Sequence, residues 1–70
     1  MTDAEVAESL RASGILVSNI TSASEYDDSM LIRWDDEDGR GWGMVIEFDA
    51  SQVRATANYL RAQGVAVERQ

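Results

Sequence analysis

The side chains in this sequence that could do chemistry are almost all carboxylates. Its 70 residues include 13 Asp and Glu, no His and no Cys, and all six cations are Arg. Without imidazole, thiol or amine side chains, nucleophilic triads, Schiff-base catalysis and zinc held by His or Cys are excluded. Carboxylate catalysis remains, and it needs two acids held apart in an apolar cleft. Here the acids fall on turns and no cleft is evident, so the chain reads as a non-enzyme. A chain of this length buries only about 60% of its unfolded surface, which leaves no room for a large cofactor pocket, and no cofactor is expected.

The densest acidic stretch is IRWDDEDGRGWG, residues 32–43, with four consecutive acids and two glycines between two tryptophans and a third glycine just after them. Asp36, Asp38 and Gly39 match the third, fifth and sixth positions of a calcium-binding EF-hand loop. The first and twelfth positions then fall on Trp34 and Val45, which cannot ligate, and the flanks read as strands. No metal site is expected. Trp34 and Trp42 could form a stacking platform, but their alternation with Met, Ile and Phe favours packing. Arg54, Asn58 and Arg61 share one flank of a helical segment and read as a solvated face with the capacity to touch an anion.

These residues must be positioned by a small set of elements. Thr2 and Glu5 form a capping box, and Val6, Ala7 and Leu10 supply an apolar stripe up to Gly14, so a helix is predicted over 3–13. ILVSNIT predicts a strand over 15–21, and SEYDD a turn. SMLIRWDD and GWGMVIEF predict two more strands. Requiring their apolar residues to share a face pairs Trp34 with Trp42, Ile32 with Met44 and Met30 with Ile46, joined by a three-residue loop whose third member, Gly39, takes positive φ. A second helix begins at Asp49 or Ser51, carries Val53, Thr56, Ala57 and Leu60 on one stripe, and stops at Gly64; VAVER is the last strand. LRASGILV at 10–17 recurs as LRAQGVAV at 60–67.

The predicted fold is therefore one α+β domain of order α-β-β-β-α-β, with two helices on one face of a four-stranded, mainly antiparallel sheet. The repeated helix-strand unit favours strand order 3-2-1-4. Leu31 and Val45 then share the outer sheet face, a candidate surface for homodimerisation. No stretch approaches a membrane span and the N-terminal residues are acidic, so the chain reads as cytoplasmic.

A net charge of −7 argues against direct binding to nucleic acid or anionic membrane and points to a basic protein partner. The charge is polarised. Residues 1–49 hold 12 acids against Arg11, Arg33 and Arg40, a net of −9, whereas residues 50–70 hold Glu68 against three Arg, a net of +2. Seven acids form two groups, Glu25, Asp27 and Asp28 before the second strand and Asp35, Asp36, Glu37 and Asp38 at its far end. At ~3.3 Å per residue these poles lie roughly 25 Å apart, an outline like a short run of duplex phosphates. Ordinary solvation or salt adaptation also produces acidity, but salt adaptation predicts acids everywhere, and the C-terminal third is positive.

In size, charge and compact α+β build, the chain resembles the small acidic inhibitors that bacteriophages deploy against host nucleic-acid-binding machinery, anti-CRISPR proteins and anti-restriction DNA mimics among them. The resemblance rests on no shared motif. It implies a non-catalytic inhibitor whose carboxylates, Glu25, Asp27, Asp28 and Asp35 through Asp38, occupy an Arg- and Lys-lined channel of the partner.

Overall fold

A computed structural model describes residues 2–70. The first helix, α1 (Asp3–Ala12), is opened by the expected capping box, in which Glu5 N–H donates to Thr2 Oγ1 and the Glu5 carboxylate accepts from Thr2 N–H. The second, α2 (Ala50–Ala62), is opened the same way by Asp49 and Gln52, so Asp49 is the cap. Each box satisfies backbone donors that the first helical turn leaves without partners.

Both helices end in a Schellman motif. Gly14 N–H reaches Arg11 O and Ile15 N–H reaches Leu10 O; Gly64 and Val65 repeat this on Arg61 and Leu60, with φ of +82° and +86° at the two glycines. The sequence repeat is therefore one helix-stop device used twice, with Leu10/Ile15 and Leu60/Val65 as its apolar pairs. That use corrects the predicted strand over 15–21. Ile15 is spent on closing the helix and is buried, Val17–Asn19 form a single 3₁₀ turn, and the strand β1 begins only at Ile20 (Ile20–Glu25). Ser24 and Glu25, expected in a turn, belong to this strand; the turn is Tyr26–Asp28.

Strands β2 (Ser29–Asp35) and β3 (Gly41–Glu47) pair in the predicted register, with Trp34 opposite Trp42, Ile32 opposite Met44 and Met30 opposite Ile46. The strand β4 (Ala66–Arg69) runs parallel to β1, giving a mixed sheet of order β3-β2-β1-β4. A bulge at Thr21 shifts the side-chain parity of β1, so Ile20 and Ala23 both face the helices. Below the helices, Leu10, Ile15, Met30, Ile32 and Leu60 are fully buried, and α2 lies over β4, β1 and β2. The stripe Val53, Thr56, Ala57 and Leu60 is buried as the 3.6-residue period requires. Among the described residues, no helix is long and apolar enough to cross a membrane.

Candidate functional site

The hairpin loop is organised by one carboxylate. Asp36 Oδ1 accepts from the amides of Asp38 and Arg40, both at 2.9 Å, and Asp36 Oδ2 accepts from the Trp42 indole N–H at 2.8 Å. Gly39 N–H closes the turn on Asp36 O, and Gly39 holds φ +79°. The indole N–H first, and then the loop amides, hold the Asp36 carboxyl below its ordinary value of 3.8. Here the carboxylate faces hydrogen-bond donors, an arrangement opposite in sign to a calcium cage, which presents converging oxygens.

Lowered pKa and structure are linked. Because the folded-state pKa is depressed, the stabilisation from Asp36 is complete above the ordinary carboxylate range and is lost as pH falls through the lowered value. The Trp42 indole resonance should therefore titrate on the acid side of the ordinary carboxylate range. In Asp36→Asn the side chain cannot accept from both the loop amides and the indole, so that resonance should move towards its solvent-exposed position at every pH. An indole signal unchanged by the substitution would show that the bond does not order the loop.

Around Asp36, the carboxylates of Asp35, Glu37 and Asp38 are exposed. Among the described residues no ion pair reaches this tip; the three present are Arg11 with Glu8, Arg61 with Glu25 and Arg69 with Asp27.

The other acidic group is arranged differently. Glu25 lies on the helix-facing side of β1, its side chain only 10% exposed, and its Oε1 accepts from Arg61 Nη2 at 2.9 Å. Sequence reasoning placed Glu25 on a partner-binding surface, and the fold places it under α2. Arg61 is likewise occupied and is not a free member of the Arg54–Asn58–Arg61 flank. Asp27 is exposed but paired with Arg69, whose other nitrogen donates to Glu25 O at 3.2 Å. Asp28 is exposed. Three acids here meet two arginines, so the chain's own C-terminal cations largely neutralise one of the two expected poles. A shallow cleft of about 140 Å³ beside them, lined by Tyr26, Arg54 and Arg69, is too small for an organic ligand.

On the outer sheet face, Leu31 and Val45 are opposite one another as expected, and Val45 is 62% exposed. The adjoining half of that face is polar, because the Arg33 guanidinium reaches across to the hydroxyls of Ser22 and Ser24. Trp34 packs against the core, whereas its cross-strand partner Trp42 is 54% exposed at the sheet edge. Sequence reasoning gave Trp42 a packing role and missed its bond to Asp36. A tryptophan six residues after an acid, across a three-residue loop, was the available signal.

The fold and its surface define a two-layer α+β domain with an acidic hairpin tip. The chain matches no protein-family model, no curated protein and no solved structure.

Proposed function

We propose that the protein is an acidic, non-catalytic binding protein, an inhibitor or decoy of the anti-CRISPR kind, that acts by seating its β2–β3 hairpin tip in a basic channel of a nucleic-acid-binding host protein. One observation carries this reading: at a hairpin tip organised by hydrogen bonds to Asp36, the exposed carboxylates of Asp35, Glu37 and Asp38 lack an ion-pair partner among the described residues. Such a tip attracts a basic groove over a distance and competes there with phosphate, and its ordering by Asp36 lowers the entropy lost on docking. Asp35, Glu37 and Asp38 make the direct contacts in this scheme and Asp36 fixes their presentation. Asp28, and Asp27 if Arg69 lets it go, extend the acidic edge.

The test is capture from nuclease-treated host lysate by the intact protein and by the variant Asp35→Asn/Glu37→Gln/Asp38→Asn, which leaves Asp36 in place. The intact protein should retain a basic nucleic-acid-binding protein that duplex DNA and rising salt displace, and the variant should lose it by at least tenfold. Equal capture by the two proteins would end the proposal. A second reading, a structural module that self-associates through the outer sheet face, is favoured by the exposure of Val45 beside Leu31.

A further inference from the structure

The two edges of the sheet are unlike. One is β4, which is four residues long and ends in Glu68 and Arg69, features that discourage pairing with another chain. The other is β3, seven residues with a single charge at its end, Glu47, in a chain of net charge −7. Three of the five large apolar residues that the fold leaves exposed lie on β3: Trp42, Met44 and Val45.

The hydrogen-bond parity of β3 follows from its ends. Asp36 N–H donates to Arg40 O and Phe48 N–H donates to Asp28 O, so the even-numbered residues of β3 bond to β2. The N–H and C=O groups of Gly41, Gly43, Val45 and Glu47 consequently point away from the sheet. Two of these four residues are glycines that the monomer does not need. Neither has positive φ, and a Cβ at Gly43 or Gly41 would meet its nearest neighbour at 3.6 or 3.8 Å, an ordinary contact. Glycine weakens a strand, and where it occurs in one it commonly marks the close approach of another backbone.

We propose that β3 pairs with β3 of a second copy of this chain, antiparallel and centred on Met44, to make one continuous eight-stranded sheet. This register uses the whole strand. Gly41 pairs with Glu47 and Gly43 with Val45 of the second copy, and each pair bonds through the outward backbone groups. On the helix side, Met44 meets Met44 on the two-fold axis and Trp42 meets Ile46. On the outer side, Val45 lies over the bare Gly43 position, beside Leu31. All three exposed apolar residues are thereby covered by one symmetric contact. The contact is one strand edge of seven residues, so the dimer is a weak one, with a dissociation constant expected at about 10–100 µM. Because each copy carries net charge −7, salt screens repulsion and strengthens the dimer, opposite to the salt response of the acidic tip on a basic partner.

The chain contains no cysteine, so single-cysteine variants report the register cleanly. Residue 44 faces its own copy at a non-hydrogen-bonded position, where Cα atoms are ~4.5 Å apart, within the ~4.4–6.8 Å that a disulfide spans. Under mild oxidation Met44→Cys should cross-link at least tenfold faster than Leu16→Cys, an exposed apolar position away from the edge. Sedimentation of the unmodified protein over about 5–500 µM should show a monomer–dimer equilibrium that tightens with salt. Val45→Pro, which removes one outward N–H and no bond to β2, should abolish it; Val45→Lys tests the same edge without altering the backbone. Monomer throughout the concentration range would overturn the proposal. So would a dimer in which residue 44 does not cross-link, since a face-to-face dimer through Leu31 and Val45 leaves Met44 on the far side of the sheet.

Discussion

Leu60→Ala should remove about 2–5 kcal/mol of stability, because it empties a fully buried site that the surrounding helices and sheet can refill only in part. A 70-residue domain has roughly 3.5–10 kcal/mol to lose, so the variant should be largely unfolded at physiological temperature or melt about 10 °C or more below the parent. The loss falls on side-chain packing alone: Leu60 lies in the core with Leu10, Met30 and Ile32, and its backbone bond from Val65 N–H is kept in the variant. Leu16→Ala, at a position 58% exposed, is the control and should change stability by no more than about 0.5 kcal/mol. Thermal unfolding followed by circular dichroism decides the matter, and a Leu60→Ala melting point within two or three degrees of the parent would mean that the core is not organised around α2.

The second large effect concerns charge. Arg61→Ala leaves the Glu25 carboxylate beneath α2 without the guanidinium that now bonds it at 2.9 Å, and should cost about 1.5–3 kcal/mol. The figure stays below that for a fully buried pair because the Arg61 side chain is 41% exposed and water screens part of the interaction. Adding Glu25→Gln to Arg61→Ala should restore part of the loss, since an uncharged amide costs less to leave there. Arg11→Ala supplies the contrast: its pair with Glu8 is more than 70% exposed on both sides and should be worth under about 0.5 kcal/mol. Equal costs for Arg11→Ala and Arg61→Ala in urea unfolding would contradict this account of Glu25.

Where local physics decides, the sequence was readable. The hairpin register followed from two rules, alternation of Met30, Ile32 and Trp34 against Trp42, Met44 and Ile46, and a glycine at the one loop position that requires positive φ. The Thr2–Glu5 capping box and the α2 stripe were legible for similar reasons, whereas the strand order was favoured only by a repeat that proves to be a helix-stop device used twice. Legibility failed where a residue had two local uses or a distant partner. Ile15, Leu16 and Val17 form an apolar run that satisfies a strand pattern, yet the Schellman motif claims Ile15 first. Glu25 sits in an acidic, Ser-rich segment that reads as a turn, and its burial depends on an arginine 36 residues later. The bulge at Thr21 was hidden because ITSASE has no alternation to break. At the candidate site the cluster Asp35–Asp38 was visible as charge, whereas the separation of Asp36 from its neighbours required knowing that the Trp42 indole returns to it.

The parallel pairing of β1 with β4 carries a consequence for the order of assembly. Glu25 and Arg69 are 44 residues apart, whereas Trp34 and Trp42 face each other across one tight loop. Closing the longer loop costs about 1.5 kcal/mol more in chain entropy, and nothing repays that until β1 and α2 are in place to receive the strand. Folding is therefore set to proceed from the β2–β3 hairpin, with its acidic loop ordered early and β4, at the opposite edge of the sheet, joining last. Amide exchange should mirror that sequence, with β4 opening first and the Met30–Ile46 region last.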